Sequence, residues 1–171
     1  MRYTGNEKFS ALLRKMKKQM ELTYLGNKEL LSLYKTAFFC SRTVSSSAVM
    51  RCYDWATSID LSNTVIISGF QSKIEKDILH LLLKRNAKII LVLGRQLYKQ
   101  LPEELVPAFQ ANHLLSISTS KQKRTSKESA ERRNAYISEI SDSLVWGCIS
   151  SDSPLNSLYD ANIAKSIKLY K

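Results

Sequence analysis

The sequence predicts an α/β fold: a doubly wound, mostly parallel sheet with helices on both faces, plus a basic N-terminal helix. Two observations carry this. Five short apolar runs of strand length recur along the chain, and stretches with helical spacing of apolar residues lie between them. The runs show no alternation, which is what a parallel strand covered on both faces requires. Strand, helix, strand, repeated with short links, builds crossover units and hence a doubly wound sheet.

Residues 7–21 read as an amphipathic helix, with Phe9, Leu12, Leu13, Met16 and Met20 at helical spacing and Arg14, Lys15, Lys17 and Lys18 facing elsewhere. Residues 1–21 are therefore expected to form a basic amphipathic helix, and residues 22–171 one sheet domain. The strands follow at 36–41 (TAFFCS), 64–69 (TVIISG), 88–94 (KIILVLG), 114–119 (LLSIST) and 143–149 (SLVWGCI). Helices are expected over 46–58, 71–86, 103–110, 126–140 and 154–164, with a last edge strand over 166–170. No internal repeat is visible, and only residues 121–133 (KQKRTSKESAERR) are compositionally biased, being polar and basic.

A chain of 171 residues fits a single domain. It can bury roughly two-thirds of the surface its unfolded form exposes, so it needs no disulfide or metal to fold. Its three cysteines (Cys40, Cys52, Cys148) are widely spaced and contain no C-x-x-C, which argues against a disulfide framework or a zinc site. Cys40 and Cys148 fall in strand-like runs and read as small buried hydrophobes. No apolar run approaches the ~20 residues of a membrane helix, and the charged N-terminus lacks a signal-peptide core. A cytoplasmic location is expected.

Charge is the compositional outlier. Lys and Arg number 26 against 15 Asp and Glu, a net +11. Such an excess attracts polyanions, phosphate backbones above all. In a doubly wound sheet the ligand sits outside the carboxyl ends of the strands, where strand order reverses. The residues there are Ser41 and Arg42; Ser68, Gly69 and Phe70; Gly94, Arg95 and Gln96; the 121–133 segment with Lys121, Lys123, Arg124, Lys127 and Arg133; and 150–153. Hydroxyls, small residues and arginines dominate, and carboxylates are almost absent. Arginine forks beside helix N-terminal amides are what a phosphate requires.

Enzymatic chemistry lacks its residues. A strand-end carboxylate pair is missing, and there is no G-x-S-x-G to activate Ser68. Neither G-x-G-x-x-G nor a P-loop occurs. His80 and His113 are far apart, without metal-ligand spacing. No cofactor or metal is expected.

The same strand ends resemble the DNA-processing protein A (DprA/Smf) family. Residues 25–31 (LGNKELL) and 38–42 (FFCSR) look like that family's Gly-Asn turn before an apolar strand ending in G-[ST]-R, with Cys40 in place of Gly and with Ser41, Arg42 and the later Ser45 fitting. Residues 67–75 (ISGFQSKIE) resemble S-G-L-A-x-G-I-D, keeping Ser68, Gly69 and Ile74 and placing Glu75 at the Asp position. Residues 92–102 (VLGRQLYKQLP) resemble V-L-G-x-G-L-D-x-x-Y-P at Gly94, Leu97 and Pro102. Residues 133–141 (RNAYISEIS) match R-N-R-I-I-A-G-L-S at Arg133, Asn134, Ile137 and Ser141. The resemblance implies a Rossmann-like sheet, single-stranded DNA over its basic crevice, homodimerisation and delivery of DNA to a recombinase. It makes Arg42, Arg133 and Asn134 ligand contacts, with Ser68 and Gly69 shaping the floor.

The leading expectation is thus a non-catalytic single-stranded DNA module, with Phe70, Tyr98 and Tyr136 as candidate stacking platforms. The same crevice also suits a sensor or carrier holding a nucleotide or phosphorylated ribose. A third possibility is a surface that serves protein contacts alone.

Overall fold

The computed structural model describes residues 5–170, and of residues 5–9, 12 and 19 the backbone alone. Its first helix, α1 (Gly5–Gln19), carries Arg14, Lys15, Lys17 and Lys18 exposed, while Leu13, Met16 and Met20 are half-buried. The predicted apolar side chains of Phe9 and Leu12 lie outside the described residues. Lys17 Nζ reaches Glu139 at 2.5 Å.

Seven strands follow: β1 (Thr23–Gly26), β2 (Tyr34–Cys40), β3 (Thr64–Ser68), β4 (Lys88–Leu93), β5 (Leu114–Ser118), β6 (Ser143–Cys148) and β7 (Ser166–Lys168). They form one sheet in the order β1-β5-β4-β3-β2-β6-β7. Every pair is parallel except β1 with β5. The predicted doubly wound parallel sheet is the observed one. From β2 the chain steps outward through β3, β4 and β5, then returns to β6 on the other flank of β2. The topological switch point therefore lies between β2 and β6.

The helices divide accordingly. On one face α2 (Ser46–Ser58), α3 (Lys73–Lys84) and the short α4 (Val106–Gln110) cover the sheet. The apolar layer there joins Cys52, Ala56, Ile78 and Leu82 to Phe38, Ile66, Ile89 and Leu91. On the other face α5 (Lys127–Ile140) and α6 (Leu155–Asp160) set Tyr136, Ile137, Leu155 and Leu158 against Phe39, Ile67, Val92 and Trp146. Adjacent strand residues alternate between these two layers, so strands apolar at every position are what the fold consumes. Phe39 stacks on Trp146 at 4.9 Å between ring centroids, tying β2 to β6.

Local signals set the helix limits. Ser45, Ser72 and Ser126 accept N-terminal amides as N-caps of α2, α3 and α5. The helix expected over 154–164 is two pieces, because the Asn162 side chain donates to the Leu158 carbonyl at 2.8 Å and ends the first turn series. The helix expected over 103–110 opens as a 3-10 turn, Glu103–Leu105, before α4 begins around Pro107. Strand β1 falls where the sequence reads as a turn. Four residues with outer positions exposed carry too little pattern, and it is pairing with β5 that makes them a strand. Gly26 ends it at φ +109°, where a Cβ would collide with the Leu114 carbonyl oxygen.

At the amino ends of β2 and β6, Asp142 accepts the Lys35 N–H at 2.7 Å and pairs with Lys35 Nζ at 3.2 Å. The backbone N–H donor, then Lys35, holds its carboxyl below the ordinary value of 3.8. A lowered folded pKa stabilises the fold above the unfolded value, and that contribution disappears as pH falls through the folded one. Asp142→Asn is therefore expected to flatten the fall in melting temperature below about pH 4. Thermal melts of both proteins between pH 2 and pH 7 would check it; parallel curves would refute it.

Candidate nucleic-acid interface

The carboxyl ends of β2 and β6 meet through Ser41. Its N–H donates to the Cys148 carbonyl at 2.9 Å, and its Oγ accepts the Ser150 N–H at 3.0 Å. Ser41 is thus a buried stitch between the two loops of the switch point. Arg42, the next residue, stands exposed, and no carboxylate among the described residues pairs with it. Ser45 follows, exposed, accepting the Ala48 N–H at 3.3 Å as the cap of α2. One free guanidinium, a helix N-terminus and the exposed hydroxyls of Ser45 and Ser47 share this point. That combination suits a phosphate.

Helix α5 crosses the ends of β3 and β4, and two glycines make the crossing possible. A Cβ on Gly94 would lie 3.0 Å from the Ser129 carbonyl, and one on Gly69 would lie 2.5 Å from Arg133 Nε. Ser129 and Arg133 are one turn apart, about 5.4 Å of rise. Neighbouring strands are about 4.8 Å apart, so one helical turn spans the step from Gly94 to Gly69. These glycines admit the helix, and Gly69 also lines an open cleft with Gln71, Arg95 and Tyr98. Ser68 is fully buried, its Oγ accepting the Phe70 N–H at 3.2 Å.

Arg133 is enclosed too, 5% exposed. Its Nε and Nη2 both donate to Asn134 Oδ1, at 3.1 and 3.0 Å, while Nη1 has no partner among the described residues. Burial pushes its pKa down, opposed in part by Glu75. Glu75 itself is buried and accepts three amides: Cys40 N–H at 3.1 Å, Gln71 N–H at 2.7 Å and Ser72 N–H at 3.1 Å. It was not among the predicted site residues, although Ser72 followed by Glu75 is a capping-box spacing legible in the sequence.

Two of the three candidate stacking platforms are closed. Phe70, at φ +48°, turns its ring into the core at 3% exposure, and Tyr136 is 6% exposed beneath α5. Tyr98 is half-buried, with the Arg95 guanidinium 4.4 Å from its ring centroid. The loop after β5 lies beside that pair, since Gln96 N–H donates to the Gln122 carbonyl at 2.8 Å. There Lys121, Lys123, Arg124 and Lys127 are all exposed, and Lys121 pairs with Glu21. Three strand spacings, about 14 Å, separate the end of β5 from the end of β2. The predicted residues therefore form a stripe along one sheet edge, exposed and basic at both ends, with Arg133 buried in between.

No helix among the described residues is long and apolar enough to cross a membrane. No protein of curated function matches the sequence. Solved structures that share the fold include two proteins of one kind. DNA processing protein A from Streptococcus pneumoniae superposes with a TM-score of 0.68 at 21% identity, over 86% of this chain and 53% of that one. DNA processing protein A from Helicobacter pylori, described for its single-stranded DNA binding mode, gives 0.68 at 19% identity over 86% and 70%. This chain thus spans about half the length of the pneumococcal protein. The family profile for DNA recombination-mediator protein A matches residues 1–168, nearly the whole sequence, and the chain belongs to that family.

Proposed function

We propose that this chain binds single-stranded DNA without catalysis, along the stripe from Arg42 to the 121–127 loop. The observation that carries the reading is Arg42 itself. It is an exposed, carboxylate-free guanidinium at the switch point, beside the N-terminus of α2, in a chain with a net charge of +11. Family membership and the DNA-binding mode described for the Helicobacter pylori relative support it. A second copy of the chain, a recombinase and a cytoplasmic location are the further expectations of the same reading. Arg95 over Tyr98 leaves one amphipathic ring near the loop end of the stripe for a base to meet.

Fluorescence anisotropy of a labelled poly-dT of ~20 nucleotides, titrated at two salt concentrations, tests this. Log affinity is expected to fall with log salt by about 0.7 per phosphate neutralised. Arg42→Ala should weaken binding roughly 10-fold or more and flatten the slope by about one contact. Replacing Lys121, Lys123, Arg124 and Lys127 together with Ala should weaken it further and spare a mononucleotide. Absence of binding at low salt, or an Arg42→Ala protein that binds like wild type, would sink the reading.

A further inference from the structure

Three cysteines far apart in sequence meet at the switch point. Cys40 ends β2, Cys148 ends β6, and Cys52 lies in the second turn of α2. Cys40 and Cys148 are partners in the β2–β6 ladder, where the register shifts and Gly147 is left without a partner. A Cβ on Gly147 would lie 2.6 Å from Cys52 Sγ and 3.2 Å from Cys40 Sγ, so the two sulfurs converge on the space this glycine leaves. Cys148 packs beside them in the same apolar layer and is half-buried. None of the three is in a disulfide.

We propose that this cluster is a peroxide-responsive modification site, in which oxidation closes a disulfide between Cys40 and Cys52 around the segment carrying Ser41, Arg42 and Ser45. Cys148 is the least buried of the three and reacts first, through the small thiolate fraction that its burial leaves. Its thiolate attacks peroxide, the O–O bond breaks, and the departing oxygen leaves as water with the thiol proton, giving a sulfenic acid. Cys52 attacks that sulfur, the S–O bond breaks, and a second water carries off the Cys52 proton. Cys40 then displaces Cys148, which regains a thiol proton as the Cys40–Cys52 bond forms. Two thiols have lost two electrons and two protons, and peroxide has become two waters. The pair selected is the one whose sulfurs both border the space at Gly147, which needs the least movement to reach a disulfide. The neighbouring Cys40 thiol, opposed by burial, holds the Cys52 pKa below its ordinary value and favours the thiolate, the form that attacks.

The full chain, treated with hydrogen peroxide and then alkylated, tests this by mass spectrometry without reduction. The expected product has one alkylatable thiol in place of three, a mass lower by about 2 Da before alkylation, and a Cys40–Cys52 cross-linked peptide reversed by dithiothreitol. Cys148→Ser should slow its formation roughly 10-fold. Three alkylatable thiols after treatment, oxygen adducts on Cys148 alone, or a final cross-link through Cys148 would each overturn the proposal. All these readouts come from the wild-type chain or one conservative variant, and none depends on DNA binding.

Discussion

Replacing Glu75 with Ala is expected to lower the free energy of unfolding by about 3–5 kcal/mol. The carboxylate is 7% exposed and accepts amides from three separate places: the end of β2 at Cys40, the turn after β3 at Gln71, and the cap of α3 at Ser72. Each amide left without an acceptor in a buried site costs about 1–3 kcal/mol. Arg133 would also lose the neighbouring negative charge that opposes its desolvation. A native domain has only about 5–15 kcal/mol in total, so the variant should unfold at markedly lower urea. Glu75→Gln keeps one carbonyl oxygen and should lose less. Urea unfolding followed by circular dichroism measures both. An Ala variant within about 0.5 kcal/mol of wild type would mean that the three amides find other partners.

Arg133→Met carries the opposite sign. The guanidinium is buried, no carboxylate among the described residues lies within ion-pair distance, and Nη1 has no acceptor. A desolvated cation in that state is a cost, and a flexible apolar side chain of similar length removes it. We expect a stability gain of about 1–2 kcal/mol. The same change removes a positive charge from the middle of the stripe, so affinity for poly-dT should fall several-fold while the fold strengthens. Opposed movements in urea unfolding and anisotropy would identify Arg133 as a residue kept for its charge. A loss of stability would instead show that Asn134 and Glu75 together more than offset its burial.

The strands, most of the helices and the alternation that makes the sheet doubly wound are legible residue by residue. Periodicity and capping are local, and Ser45, Ser72 and Ser126 announce their helices within a few positions. The exposed charges of the site were legible for the same reason: Arg42 and the 121–127 loop follow strands, and residues after strands face the crevice. Tertiary structure alone decided the rest. That Arg133 is enclosed over Gly69, that Phe70 faces the core, and that Cys40, Cys52 and Cys148 share one spot all depend on which strands become neighbours. So does β1, a strand only because β5 is there to pair with it. Strand order is settled by crossover direction and layer-to-layer contacts between residues tens of positions apart, and no local pattern of residues encodes those distances.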